Sequence, residues 1–247
     1  MPQACGAQKL FYYYIAATTD GKDGTDHDKA CTGEQDCREA RQSPRGGDRM
    51  RTASIIINAV IFVTTFTVIL SHFRKDGAWQ IGRGLKQFRY FTVLSNAFCA
   101  IAALMMAVSQ INGAVPRPVF LMKYMGTVSV TLTFLTVMLF LGPTQGGYAK
   151  WLGGDFLYVH LIGPLLAILS FCLLERQRMT LPTAMTGALP MLLYGAVYVY
   201  KVLLAPEEQR WEDFYGFNQG GKWPVSCVAM LAGISLICVA FWLISRI

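Results

Sequence analysis

A threonine and a histidine, each a few residues inside an apolar stretch, are the side chains best suited to chemistry in this chain. They are Thr92 and His160. A threonine hydroxyl attacks a carbonyl carbon when a nearby base takes its proton, and a neutral imidazole is such a base. Ser95 and Asn96 share a helical stripe with Thr92 and are suited to donate hydrogen bonds to a developing oxyanion. A nucleophile, a base and oxyanion donors are together the groups that acyl transfer requires.

A second polar stripe lies further along the chain. Tyr194, Tyr198 and Lys201 are spaced by four and three residues, so they share one face of a helix. Lys201 would attract a carboxylate or phosphate head group. We therefore assign these three residues, together with Ser95 and Asn96, to ligand binding.

Each of these residues also has a plainer interpretation. A threonine in a membrane helix commonly bonds the carbonyl four residues earlier, which would explain Thr92 without catalysis. His160 is equally compatible with a neutral structural hydrogen bond, whereas Lys201 would simply extend its ammonium group to the membrane boundary. Asn96 would join two helices. His72 is an interfacial residue beside basic neighbours.

The elements that must position these residues are membrane-spanning helices. Of the 247 residues, 53% are hydrophobic and 15% are charged, whereas soluble domains carry about 25% charged residues. Apolar runs of about twenty residues match the length of a helix that crosses a bilayer. We predict an all-α integral membrane protein, a six-transmembrane-helix bundle, with no nucleic-acid partner. The predicted spans are 53–72, 90–110, 124–141, 156–174, 184–204 and 224–244.

The alternation of the spans brings the candidate residues to one side of the membrane. The first, third and fifth loops share that side, which we call the odd-loop face. Thr92 and His160 lie near the start of spans that begin there, and Lys201 lies near the end of a span that finishes there. At about 1.5 Å per residue, Thr92 and His160 are within roughly 6 Å of the same boundary. We therefore predict one polar site at the odd-loop face.

The opposite face is predicted to lack such a site. Its span ends carry Ser109, Gln110 and Glu175 but no comparable set of embedded donors and ionisable groups. Apart from Lys201, the charges of residues 53–247 are placed at span ends or in loops. The threonines of the third span are interpreted as packing residues: Thr127, Thr131, Thr133 and Thr136.

The first 52 residues differ from the rest, since they mix charges of both signs and contain three of the seven cysteines. We interpret residues 1–52 as a polar, disordered tail. An alternative is that translation starts at Met50, directly before the first span. With residues 1–49 the Lys and Arg distribution places the N-terminus in the cytoplasm, and from Met50 onwards the bias reverses. The sequence therefore leaves the orientation open.

The cysteines and histidines do not form a metal-binding pattern. There is no C-x-x-C pair and there are only three histidines. The four cysteines within spans are interpreted as structural thiols. We therefore expect no metal site and no cofactor.

Two short stretches resemble a known family. The segments Phe88–Asn96 (FRYFTVLSN) and His160–Pro164 (HLIGP) are similar to the androgen-induced-gene family of six-helix membrane proteins and its uncharacterised prokaryotic relatives. The likeness covers roughly residues 53–244. It implies a threonine hydrolase that cleaves fatty acid esters of hydroxy fatty acids, with Thr92 and His160 in the positions of the family's threonine and histidine.

Two functional hypotheses follow. The first is an intramembrane lipid ester hydrolase, acting on a membrane lipid or an amphiphilic fatty-acyl substrate, in the plasma membrane if the source is prokaryotic. The second is a non-catalytic membrane transporter or lipid-binding subunit, in which the same polar stripe only holds a ligand. The chain shows no inverted repeat, which weakens the transporter alternative.

Overall fold

Six helices, each long and apolar enough to cross a membrane, account for most of the described chain. The computed structural model describes residues 44–144 and 146–247. It confirms the predicted all-α, six-helix integral membrane fold. The helices are α1 (Pro44–His72), α2 (Phe91–Ile111), α3 (Arg117–Thr144), α4 (Asp155–Leu174), α5 (Leu181–Leu204) and α6 (Trp223–Ile244).

Two helices, α1 and α3, begin well before the predicted spans. α3 starts at Arg117 rather than at residue 124, because Pro118 occupies the first turn, where a missing N–H costs no hydrogen bond. α1 starts at Pro44, whereas the first span was predicted from residue 53. Residues 1–43, which hold most of the predicted tail, lie outside the described residues. A start at Met50 therefore stays a prediction.

The connections at the odd-loop face contain short ordered elements. Between α1 and α2, the strands β1 (Arg74–Lys75) and β2 (Ala78–Trp79) pair antiparallel and precede a short helix, Ile81–Gln87. Between α3 and α4 lies the helical turn Tyr148–Trp151. The connection between α5 and α6 contains the turns Glu207–Gln209 and Gln219–Gly221.

α3 is the most buried of the six helices and forms the centre of the bundle. An aromatic group packs around it, with the Phe171 ring of α4 5.6 Å from Phe120 and 5.5 Å from Tyr124 between centroids. Phe241 of α6 lies 5.7 Å from Phe171 in an edge-on arrangement. The Tyr124 hydroxyl donates to the carbonyl of Ala184 at 2.7 Å, so the same helix is also fixed to α5.

The threonines of α3 behave as the packing interpretation expects. The hydroxyls of Thr127, Thr131 and Thr133 donate to the carbonyls four residues earlier in the same helix, at 2.9, 2.7 and 3.1 Å. All three side chains are buried. This arrangement gives each hydroxyl proton an acceptor within its own helix.

The contact between α2 and α3 depends on a missing side chain at Gly126. A Cβ there would lie 2.9 Å from the Cα of Cys99, a backbone atom that cannot rotate away. We expect Gly126→Ala to lower the free energy of unfolding by about 1–3 kcal/mol, as overpacking does in cores. Gly195→Ala on α5 is the matched control, because no atom lies within 4 Å of its added Cβ.

Thermal unfolding of the purified protein in detergent measures both variants. The melting temperature should fall for Gly126→Ala and stay level or rise slightly for Gly195→Ala, since alanine stabilises a helix relative to glycine. Equal melting temperatures for the two variants would show that α2 and α3 do not pack this closely.

Candidate functional site

The first turn of α2 positions Thr92, and a residue from a distant loop holds that turn. The N–H of Phe91 donates to the hydroxyl oxygen of Tyr215 at 2.9 Å. Tyr90, at the usual capping position, offers no side-chain cap. Burial raises the pKa of Tyr215, and the neighbouring groups of Phe91, Tyr194 and Thr92 partly offset that rise. The Tyr215 phenol therefore stays protonated beside Thr92.

Asn96 connects the start of α2 to α4. Its amide nitrogen donates to the carbonyl of Thr92 at 2.8 Å and to the carbonyl of Val159 at 3.2 Å. A Cβ at Gly163 would lie 3.1 Å from the carbonyl oxygen of Tyr158, so the tight contact at this glycine is with its own helix rather than with Asn96. The backbone at Thr92 is thus brought next to the residue preceding His160. Both N–H groups of the Asn96 amide therefore already donate to backbone carbonyls.

His160 lies in a widened turn of α4. The π-helical segment Tyr158–Ile162 is followed directly by Gly163–Pro164. Proline has no N–H for the carbonyl four residues earlier, which is that of His160, so the regular α-helical ladder cannot continue there. Widened turns of this kind are frequent at functional sites.

The environment of His160 determines which of its two ring nitrogens carries the proton. Its Nδ1 lies 2.8 Å from the carbonyl oxygen of Trp151. Since a carbonyl only accepts, Nδ1 carries the proton and Nε2 holds the lone pair. The ring is 3% exposed and stacks on Phe156 with the centroids 5.6 Å apart. Within the described part of the chain, Nε2 has no hydrogen-bond partner.

Thr92 and His160 are brought to the same region, as predicted from the alternation of the spans, but their side chains are not joined. Among the described residues, no hydrogen bond links the Thr92 hydroxyl to the His160 ring. The link between them runs through the backbone and Asn96. A direct transfer of the hydroxyl proton would need a change of rotamer or a bridging water.

An apolar groove of about 460 Å³ lies between α2 and α5 at the odd-loop face. We call it the α2–α5 groove. Its size matches that of small-molecule binding sites in proteins. Two of the predicted ligand-binding residues, Ser95 and Tyr194, line it. The lining residues are Phe88, Phe91, Leu94, Ser95, Phe98, Pro190, Leu193, Tyr194, Val197 and Trp211.

The groove and Thr92 lie on adjacent faces of α2. Successive residues of an α-helix are about 100° apart, so Ser95 lies about 60° from Thr92, and Phe91 about 100° away in the same direction. Ser95 therefore stands between the groove and Thr92. Its hydroxyl lies 3.1 Å from the Thr92 carbonyl oxygen and 3.2 Å from the Thr133 hydroxyl.

The polar stripe predicted on α5 is observed, and its groups already have partners. The Tyr194 hydroxyl donates to the carbonyl of Arg89 at 2.8 Å, and the Tyr198 hydroxyl donates to a carboxylate oxygen of Asp213 at 2.9 Å. Lys201 is half-buried, with its ammonium nitrogen 6.0 Å from the Tyr200 ring centroid. Tyr194 and Tyr198 therefore fix neighbouring segments in place, and Tyr194 also lines the groove.

The loop between α5 and α6 covers this end of the bundle with aromatic side chains. We call residues 205–222 the aromatic loop. Asp213 organises it by accepting from the N–H groups of Phe217 at 2.8 Å and Asn218 at 2.7 Å. Trp211 of the same loop lines the groove. The loop thus forms part of the groove wall and is anchored to α5 through Asp213.

A second polar cluster lies at the other end of the bundle, where the sequence predicted none. Lys123 is completely buried in α3, and its ammonium nitrogen lies 3.8 Å from Oε2 of Glu175. Oε1 of Glu175 accepts from the hydroxyls of Ser54 at 2.7 Å and Ser170 at 2.6 Å, and from the amide of Asn58. We call these five residues the ion-pair network.

The prediction for that face was wrong for an identifiable reason. The third span was expected to begin at residue 124, which left Lys123 just outside the membrane-spanning helix. The structure starts α3 at Arg117, so Lys123 lies almost two turns inside it. Its amine also donates to the side-chain oxygen of Asn58 at 2.6 Å. Pro118 is the feature of the sequence that could have indicated the earlier start, because proline is tolerated in the first turn of a helix.

The cysteines within the described residues are free thiols. Cys99 and Cys238 are buried, and Cys172 and Cys227 are partly buried. In residues 44–144 and 146–247, no three His, Cys, Asp or Glu side chains are grouped so that they could hold a metal ion.

Comparisons of the chain with protein-family models, curated proteins and solved structures give no match. The resemblance of Phe88–Asn96 and His160–Pro164 to the androgen-induced-gene family therefore stays a prediction. Any functional conclusion depends on the geometry of the residues themselves.

Proposed function

We propose that this multi-pass integral membrane protein is a lipid ester hydrolase, with Thr92 as nucleophile and His160 as base. The substrate would be a fatty-acyl amphiphile taken from the surrounding membrane, which is the plasma membrane if the source is prokaryotic. Membership of the androgen-induced-gene family is part of this proposal.

The observation that carries the proposal is the state of His160. A neutral imidazole acts as a general base only when one of its ring nitrogens is free to accept a proton. Here the Trp151 carbonyl fixes the proton on Nδ1, and Nε2 has no partner among the described residues. A general base requires this tautomer.

The reaction balances with the groups present and water. The Thr92 hydroxyl oxygen attacks the ester carbonyl carbon while its proton passes to Nε2 of His160, through a bridging water or after a change of rotamer. The ester C–O bond then breaks, and the imidazolium returns the proton to the leaving alcohol. Water attacks the acyl-threonine in the same manner and releases the fatty acid. The Tyr215 hydroxyl accepts from the Phe91 N–H, so its own proton is suited to stabilise the developing oxyanion.

The α2–α5 groove accommodates the acyl chain of such a substrate. Its wall is almost wholly apolar and aromatic, and Ser95 marks the edge that is closest to Thr92. A chain held there would present its ester at the odd-loop end of the bundle, where Tyr215 and His160 lie. The groove thereby connects the lipid phase with the candidate catalytic residues.

Labelling with a long-chain alkyl fluorophosphonate tests the proposal on the purified full-length protein. We expect one adduct per chain, located at Thr92 by peptide mass spectrometry and absent in Thr92→Ala. His160→Gln should slow labelling by about 10²–10⁴-fold, the usual contribution of a general base. Thr92→Ser should retain the reaction because it keeps the hydroxyl.

The matched control is Thr131→Ala. The Thr131 hydroxyl donates to the carbonyl of Thr127 at 2.7 Å within α3, so its loss should leave labelling unchanged. An adduct at another residue, or none in a folded wild-type protein, would overturn the assignment of Thr92 as nucleophile.

A second candidate function is lipid binding without catalysis. It is favoured by the lack of a hydrogen bond between Thr92 and His160 among the described residues, and by the position of the groove on a neighbouring face of α2. Binding of a fluorescent fatty-acyl probe that survives Thr92→Ala, together with no Thr92 adduct, would support this function over hydrolysis.

A further inference from the structure

The connection between α1 and α2 is a folded unit. Its strands β1 and β2 are joined by Asp76 and Gly77, which both adopt positive φ angles of 51° and 81°. This conformation is the one that a tight two-residue hairpin requires. The N–H of Gln80 donates to the carbonyl of Phe73 at 2.7 Å and closes the hairpin. We call residues 73–89 the first-loop unit.

The short helix Ile81–Gln87 packs back onto the start of this unit. Gly84 is buried, and a Cβ at this position would overlap the Phe73 ring, 2.1 Å from one of its carbons. The guanidinium of Arg83 donates to the carbonyl of Arg74 at 2.9 Å. The helix is therefore held against the hairpin, and its two faces have fixed directions.

The first-loop unit exposes three large apolar side chains. Trp79, Ile81 and Leu85 are 63%, 67% and 61% exposed. Ile81 and Leu85 are four residues apart on the same face of the short helix. The same stripe continues to Phe88, which lines the α2–α5 groove.

The other face of the short helix is basic. Arg83 and Lys86 are three residues apart and lie on the side of the short helix away from Ile81 and Leu85. The whole unit carries five basic side chains and one acidic side chain, Asp76. Among the described residues, none of these basic side chains has an ion-pair partner. The basic residues are Arg74, Lys75, Arg83, Lys86 and Arg89.

The position of the first-loop unit between two membrane-spanning helices determines what its exposed side chains contact. α1 ends at His72 and α2 begins at Phe91, and both helices cross the membrane. The residues between them are therefore confined to one membrane boundary. At that depth, exposed tryptophan and aliphatic side chains enter the acyl region while basic side chains face the phosphates.

We propose that the first-loop unit binds anionic phospholipid head groups, with Trp79, Ile81 and Leu85 inserted into the interface. Charge complementarity identifies the ligand, since the unit has a net positive charge and the phosphates of anionic lipids are its natural counter-charges at a bilayer surface. This inference is independent of the Thr92 chemistry. It predicts an enrichment of anionic lipid beside the groove.

Fluorescence of Trp79 tests the proposal in the full-length protein reconstituted into vesicles. Brominated lipids quench a tryptophan that they contact, and subtracting the signal of Trp79→Phe isolates this residue. In mixed vesicles, brominated phosphatidylglycerol should quench Trp79 more than brominated phosphatidylcholine at equal mole fraction. The double variant Arg83→Gln/Lys86→Gln should reduce this preference about fivefold for each residue, which corresponds to about 1 kcal/mol per basic side chain.

Arg176→Gln/Arg178→Gln is the charge-matched control, because both arginines are exposed and lie at the opposite face of the membrane. It should leave the preference unchanged. Equal quenching by the two lipids in the wild type, or a preference that survives the first double variant, would overturn the proposal. Loss of the preference on adding millimolar inorganic phosphate at constant ionic strength would also overturn it, by assigning the unit to free phosphate.

Discussion

Replacing Lys123 by methionine should lower the free energy of unfolding by about 3–5 kcal/mol, the usual cost of removing one partner of a buried ion pair. The remaining carboxylate of Glu175 would be buried without its counter-charge. Because Oε1 of Glu175 accepts hydrogen bonds from α1 and α4, and Lys123 belongs to α3, the variant should loosen three helices together. Reversible unfolding in mixed detergent micelles measures the loss.

The double variant Lys123→Met/Glu175→Gln separates the charge effect from general damage to packing. It removes both charges while glutamine keeps an oxygen that can accept from Ser54 and Ser170. We expect it to recover most of the stability lost in Lys123→Met, with a coupling energy of at least about 2 kcal/mol. Lys222→Met is the control for loss of a lysine, since Lys222 is exposed and should change stability by less than about 0.5 kcal/mol.

Strictly additive effects of Lys123→Met and Glu175→Gln would contradict the ion pair. In that case each residue would act through its own hydrogen bonds, Lys123 to Asn58 and Glu175 to the two serines. A double variant more stable than the wild type would still agree with a buried pair, because desolvation of two charges commonly costs more than their attraction returns.

The sequence predicted the six helices because their signal is local. A run of about twenty apolar residues bounded by charge, proline or glycine has no alternative to a helix in a bilayer. The helix starts were less predictable. The predicted start of the third span at residue 124 leaves Pro118 in the preceding connection, whereas Pro118 occupies the first turn of α3. Because the predicted helix start is seven residues too late, Lys123 falls outside the predicted span, and the ion-pair network is not predicted.

For the candidate site, the sequence predicts only which face of the membrane the residues lie near. Alternation of the spans places Thr92 and His160 at the same boundary, but it does not determine the direction of either side chain. The Trp151 carbonyl that orients His160 comes from a short loop turn, and the Tyr215 hydroxyl that caps α2 lies 124 residues after Phe91. Such contacts arise from tertiary packing and leave no periodic pattern.

Replacing Asp213 by alanine should release the aromatic loop. The carboxylate accepts from the Tyr198 hydroxyl and from the N–H groups of Phe217 and Asn218. A hydrogen bond to a charged group contributes about 1.5–3 kcal/mol, so the two amides should exchange with solvent deuterium roughly 10–100 times faster in the variant. Hydrogen–deuterium exchange of peptides covering residues 211–222 measures this directly.

Glu212→Ala is the matched control, since Glu212 is the adjacent acidic residue and its exposed carboxylate makes no hydrogen bond within the described chain. Exchange in the loop should then match the wild type. Because Trp211 lines the α2–α5 groove, release of the loop by Asp213→Ala should also weaken binding of a fatty-acyl probe, whereas Glu212→Ala should not. Faster exchange with unchanged probe binding would show that the groove holds its ligand without the aromatic loop. Unchanged exchange would show that Asp213 does not anchor the loop.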